Sequence, residues 1–295
     1  MTLAAVLLIS ASAFLHVFYN ILFKRECEDV SFVPSMVFAE CVLLLAPFIL
    51  CLILVDMPLS SLLYAVGGGI FNGLYFFCLA NAYRRADFTL VYPVARSAPV
   101  FLVTWAAMLL GDIPSAMGLA GIFAVVGGCF LLPLKGLLPG RTGFSFKSYL
   151  NKTSIWALAT ALMTSFYSIF DKLGMRLAPG ILEACYYIFC EFFISMVIVF
   201  ILSRLIDREK KPLRYLAQKP IKAMLTAFFC SAGYILVLLA FQTPSKVSYV
   251  VGFRQLSIVI GVIFGGLFLN EKVTFARLVG ALVIFGGLLL IAFAS

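Results

Sequence analysis

Charge is what this sequence has least of. Asp, Glu, Lys and Arg together make up 12% of its 295 residues, with one histidine and two tryptophans. A soluble globular domain carries about a quarter of its residues as charged side chains, so that class is excluded. No Gly-x4-Gly-Lys-Ser/Thr phosphate loop occurs, and no polar stretch is long enough to form a nucleotide-binding domain. The eight cysteines show no paired metal spacing. With a single histidine, they give neither a nucleophile–base set nor a ligand set, so the chain reads as a non-enzyme with no cofactor and no metal.

What is present is apolar. Hydrophobic residues are 63% of the chain and the mean hydropathy is +1.10. Crossing a bilayer as helix takes roughly 20 apolar residues. Ten such runs occur, at about 2–23, 31–55, 59–83, 88–110, 114–134, 154–172, 180–203, 221–241, 246–269 and 273–293. They are numbered here as spans 1 to 10. A β-barrel is excluded, because its strands are short and alternate apolar with polar residues.

The chain is also written twice. Phe18-Tyr19-Asn20-Ile21-Leu22-Phe23-Lys24 returns 148 residues later as Phe166-Tyr167-Ser168-Ile169-Phe170-Asp171-Lys172. Arg96 matches Arg254, and Gly121-x5-Gly127-Gly128 matches Gly280-x5-Gly286-Gly287. The expected fold is therefore an all-α integral membrane protein with two five-span repeats, 1–134 and 154–295, joined by a polar linker, 135–153. Five is odd, so equal halves must enter the membrane in opposite directions, as an inverted repeat.

Basic residues set the expected orientation. Of 22 Lys and Arg, all but Lys172, Arg176, Lys246, Arg96 and Arg254 flank the connections after spans 1, 3, 5, 7 and 9. By the positive-inside rule that side is cytoplasmic and both termini face out, in a bacterial cytoplasmic (inner) membrane. The basic segment 204–222 then lies against anionic lipid headgroups, so membrane lipids are expected partners. Nucleic acid is not, because the net charge of +9 is spread over five loops.

Ionisable groups inside a membrane mark function. Ser12, His16, Asn20 and Lys24 recur every four residues and share one face of span 1. Glu40 in span 2 and Glu191 in span 7 form a matched pair of acids, with Glu183 and Tyr187 on the Glu191 face. They are candidates for proton coupling, as is His16; the alternative is static pairing with lysine or arginine. Lys24, Asp171 and Lys172 are further buried charges. Arg96, in Tyr92-Pro93-Val94-Ala95-Arg96-Ser97-Ala98-Pro99, sits where two prolines can break span 4 and free backbone carbonyls. Arg254 precedes Gln255 near the start of span 9. A guanidinium pair suits carboxylate or phosphate groups. The candidate substrate-binding set is thus Arg96, Arg254, His16, Asn20, Tyr19, Tyr92, Tyr167, Tyr249 and Gln255.

These residues point to a secondary transporter of a small polar, anionic or zwitterionic metabolite. The rival readings are a flippase for a lipid-linked substrate and, further off, an intramembrane enzyme. The tandem repeat, Tyr92-Pro93-Val94-Ala95-Arg96 and Leu269-Asn270-Glu271-Lys272 resemble the drug/metabolite transporter superfamily, EamA type. That resemblance implies ten spans about a pseudo-twofold axis and a central cavity walled by spans 1, 3, 4, 6, 8 and 9. It also implies alternating access, with outward movement or exchange of small solutes. A monomer or homodimer is the expected state.

Overall fold

The computed structural model describes residues 1–85, 91, 94–132, 134, 152–206, 211–268 and 274–294, and no strand occurs among them. The helices are α1 (Leu3–Glu26), α2 (Phe32–Leu54), α3 (Leu59–Arg85), α4 (Ala98–Leu110), α5 (Ala116–Leu131) and α6 (Lys152–Leu177). They continue with α7 (Ile181–Ile206), the short α8 (Arg214–Gln218), α9 (Pro220–Phe241), α10 (Val247–Phe253), α11 (Leu256–Phe268) and α12 (Phe275–Phe293). Thr2, Ser115 and Thr274 cap α1, α5 and α12, each side-chain oxygen accepting a first-turn N–H.

The expected ten spans do not all appear as ten long apolar helices. Among the described residues seven are long and apolar enough to cross a membrane, with α10 and α11 counted as one, and α4 and α5 are shorter apolar helices. The sixth position is taken by α6, whose 26 residues reach about 39 Å, enough for a hydrocarbon core of about 30 Å. Its apolarity is diluted by Thr160, Thr164, Ser168, Asp171 and Lys172, all buried. Three of their hydroxyls bond back to the preceding turn: Thr160 to the Trp156 carbonyl (2.8 Å), Thr164 to Thr160 (2.9 Å) and Ser168 to Thr164 (2.8 Å). Sequence hydropathy alone therefore under-reads this helix. The linker 135–153 lies almost wholly outside the described residues.

Packing follows the repeat. Helices α6 and α7 pack on α3, as α1 and α2 pack on α9, and α5 packs on its counterpart α12. The α5–α12 contact is reciprocal. A Cβ on Gly121 would stand 2.8 Å from the Gly287 carbonyl, and one on Gly287 2.7 Å from the Gly121 carbonyl. Gly128 and Gly280 repeat the arrangement at 2.9 and 3.0 Å. Small residues let the two backbones touch, where packing must replace a hydrophobic drive that lipid does not supply. Outward, large apolar side chains such as Leu7, Ile53, Leu63, Met108, Leu282 and Phe293 stay exposed. Water would not tolerate so much apolar surface; lipid does. The molecule is a multi-pass membrane protein.

Candidate functional site

The polar face of α1 turns inward, as its spacing demands. The Ser12 hydroxyl donates to the Gly233 carbonyl on α9 (2.7 Å). One turn on, His16 Nε2 lies 3.2 Å from Arg254 Nη2, and one turn further Asn20 Oδ1 accepts from Arg96 Nη2 (3.2 Å). Each of these residues is thus spent on a neighbour from the other end of the chain or from span 4. Lys24 departs from expectation: it lies exposed at the end of α1, where its length carries the ammonium out of the helix packing.

Both arginines sit at interruptions of their spans. Arg96 is in the turn before α4, with Pro99 inside the first turn of that helix. Arg254 separates α10 from α11. A break leaves carbonyls without helical partners, and nearby side chains take them. Ser97 Oγ donates to Val94 O (2.7 Å), and Ser257 Oγ donates to Arg254 O (3.0 Å). The Gln255 amide donates to the Arg96 carbonyl (3.3 Å), joining one break to the other.

Between the breaks lies a cavity of about 500 Å³, the part open to solvent included. His16 and Asn20 of α1, Tyr75 and Tyr83 of α3, Thr160, Thr164 and Tyr167 of α6, and Arg96, Arg254 and Gln255 line it. It runs from mid-span towards the ends where α1 and α3 finish and α6 begins. Among the described lining residues there is no carboxylate, and two guanidiniums face the cavity. Spans 1, 3, 4, 6 and 9 wall it, and span 8 stands behind, with the Tyr234 ring 5.5 Å from the Arg254 guanidinium carbon.

The carboxylates form a separate layer. Asp171 is fully buried and accepts from Tyr187 (3.3 Å) and from Tyr234. Tyr234 therefore presents its hydroxyl to Asp171 and its ring to Arg254. Glu191, equally buried, accepts from the Asn72 amide at 2.6 Å. Glu40 is 0% exposed, and among the described residues its polar neighbour is the Cys230 thiol, with no nitrogen or oxygen donor on either carboxylate oxygen. Among the described residues no lysine or arginine stands within ion-pairing distance of Asp171, Glu191 or Glu40. Among the described residues the ion pairs are those of Glu26 with Lys219 (3.1 Å) and with Lys222. Lys172 binds carbonyls instead, those of Phe241, Thr243 and Ser245.

Other candidates scatter. Tyr19 is buried beside His16, ring centroids 5.3 Å apart, but does not line the cavity. Tyr249 is packed against α5, its hydroxyl accepting from the Ser115 amide (2.9 Å), and Gly118 leaves it room. Glu183 lies in the first turn of α7, two turns from Glu191 and partly exposed. Tyr92 lies outside the described residues. Sequence reasoning missed Thr160, Thr164, Tyr83 and Asn72. The two threonines were legible: Trp156, Thr160, Thr164 and Ser168 recur every four residues, the same signal that singled out the α1 face. Among the described residues no cluster of His, Cys, Asp or Glu could hold a metal ion.

Two repeats of apolar helices around a central cavity are an architecture common among membrane transport proteins. The EamA-like transporter family matches residues 3–133 and again 151–293, and the chain belongs to that family. A solved structure described only as the crystal structure of a protein superposes with a TM-score of 0.69 at 16% identity. The match covers 99% of this chain and 97% of the other, and it establishes the fold alone. Among curated proteins no sequence relative matches.

Proposed function

We propose that the chain is a secondary transporter that moves a small anionic or zwitterionic metabolite, as an exporter or exchanger, by alternating access. The observation that carries this reading is the convergence of Arg96 and Arg254, repeat-related and both set at span breaks, on one cavity. Guanidiniums held in a site of reduced polarity bind oxyanions strongly, and the freed backbone around them allows close approach. His16, Asn20, Gln255 and Tyr167 orient the rest of the solute. The bodies that rock about this site draw helices from both repeats, α3 with α6 and α7 and α1 with α9, and the chain makes ten crossings.

Glu191 and Glu40 are the proton-coupling candidates that fit this scheme. Among the described residues each is buried with no cation in ion-pairing reach, and a carboxylate in such a place is costly unless it holds a proton. Coupling then takes the form of antiport, with proton uptake on one side exchanged for solute on the other. The charge count orients both termini outward in the cytoplasmic membrane of a bacterium.

Uptake by proteoliposomes tests this directly. Labelled carboxylates, phosphorylated metabolites, phosphonates and amino acids are offered with and without an imposed pH gradient. Saturable accumulation of one anionic or zwitterionic class, enhanced by the gradient, supports the reading. Transport confined to lipophilic cations or to lipids overturns it.

A further inference from the structure

Asp171 and Glu191 meet at a glycine. A methyl group on Gly68 of α3 would lie 3.0 Å from Asp171 Oδ1, 3.6 Å from Glu191 Cγ and 3.6 Å from the Tyr187 hydroxyl. One methyl would thus touch both acidic side chains, so α6 and α7 bring two carboxyl groups to the same point against α3. Both residues are 0% exposed. Among the described residues neither has a lysine or arginine in ion-pairing reach. Two negative charges this close and this deep repel one another, so one of the two acids holds a proton.

Their hydrogen bonds differ, and the difference says which. Both oxygens of Asp171 accept from tyrosine hydroxyls, Oδ1 from Tyr187 (3.3 Å) and Oδ2 from Tyr234. Donors of this kind favour the ionised form. The Tyr234 ring lies 5.5 Å from the Arg254 guanidinium carbon, so a cation stands behind the tyrosine. Glu191 accepts from Asn72 at Oε1 (2.6 Å), but its buried Oε2 has no hydrogen-bond partner among the described residues. A proton there neutralises a group that is otherwise poorly solvated. The other titratable groups facing the pair are Tyr167, one turn back on α6, Glu40 of α2 and Cys230 of α9. Lys172, next to Asp171 in sequence, is turned to the carbonyls at the end of α9, and α4, which also packs on α6, has no ionisable residue.

We propose that Asp171 and Glu191 share one proton, with Glu191 as its resting seat and Asp171 as the member that reports to the solute cavity. Transfer is balanced within the pair. The O–H bond on Glu191 breaks, an O–H bond forms on Asp171 Oδ1, and the negative charge passes the other way. Asp171 is one turn from Tyr167, which lines the cavity, and its donor Tyr234 faces Arg254. An anion on Arg254 offsets the cation that favours ionised Asp171, so cavity occupancy and the position of the proton are linked. This inference rests on the proton-coupled reading above and adds to it an acid which that reading leaves unused.

N,N′-Dicyclohexylcarbodiimide adds covalently to buried carboxyl groups in their protonated form, and mass spectrometry of the full chain in lipid nanodiscs reads each acid separately. Labelling is followed against pH. In the wild type both labels should fade together as the shared proton leaves. Asp171→Asn should move the half-loss of Glu191 labelling down by about one pH unit or more, because no neighbouring charge then opposes ionisation. Glu191→Gln should do the same for Asp171. Glu40, buried on α2, is the control and should keep its profile in Asp171→Asn. Tyr234→Phe and Arg254→Gln should each shift label several-fold from Glu191 to Asp171, since Asp171 loses a donor or a cation that favours its charge. A half-loss unmoved by removal of the other acid overturns the shared proton. Label that stays on Glu191 in both Tyr234→Phe and Arg254→Gln overturns the role given to Asp171. Where one variant of a pair does not fold, the other decides. No solute is needed. A shared proton without gradient-driven transport would therefore sink the transport reading and spare the pair, and gradient-driven transport with independent acids would do the opposite.

Discussion

Arg254 Nη2 stands 3.2 Å from His16 Nε2, across the boundary between the two repeats. A guanidinium has only donors, so Nε2 accepts and the ring proton sits on Nδ1, an atom with no partner among the described residues. The single histidine thus holds a cation in place and keeps one N–H unspent. His16→Ala is expected to leave a buried guanidinium short of an acceptor and to cost about 1–3 kcal/mol, read as a lower unfolding temperature. His16→Gln, which keeps an acceptor, should recover most of it. Equal stability of His16→Ala and wild type would show that the contact contributes nothing.

The glycines where α5 meets α12 give a second expectation. Gly121 and Gly287 face one another's carbonyls at 2.8 and 2.7 Å from a Cβ position. Gly121→Val should force the helices apart and cost about 1–3 kcal/mol, the usual range for overpacking. Gly127→Val, where a Cβ meets nothing within 4 Å, should be tolerated. Thermal unfolding of the two variants side by side decides between tight contact and a loose seam.

Glu191 and Asn72 bear on coupling. The Asn72 amide donates to Glu191 Oε1 at 2.6 Å, in a layer separated from the cavity lining. Glu191→Gln keeps the shape and removes the exchangeable proton. Under the proposed antiport it should abolish gradient-driven accumulation while solute-for-solute exchange persists. Loss of both activities in a well-folded variant would assign Glu191 to structure or to solute binding instead.

The architecture was legible because its signals are redundant. The Lys24/Lys172 and Arg96/Arg254 matches gave the repeat, and the four-residue spacing of Ser12, His16 and Asn20 gave the inward face of α1. The site was legible only in part, for physical reasons. Tyr249 has the same amphipathic character as Tyr167, and which of them meets the cavity depends on Gly118 opening a slot on α5. Lys24 and Lys172 share a motif, yet one is exposed and the other wholly buried, because Lys24 stands in the last turn of α1 while Lys172 stands further from the end of α6. The polar α6 was visible in its threonine spacing and obscured by its low apolarity.

The most direct test of the account is ligand binding by the arginine pair. Purified wild type, Arg96→Ala and Arg254→Ala are compared by thermal shift against carboxylates, phosphorylated metabolites, phosphonates, amino acids and organic cations. Stabilisation of the wild type by an anionic or zwitterionic class, lost in both variants while each remains folded, is the expected result. Variants that respond like the wild type, or a response to hydrophobic cations alone, would contradict it and make the two arginines part of the scaffold.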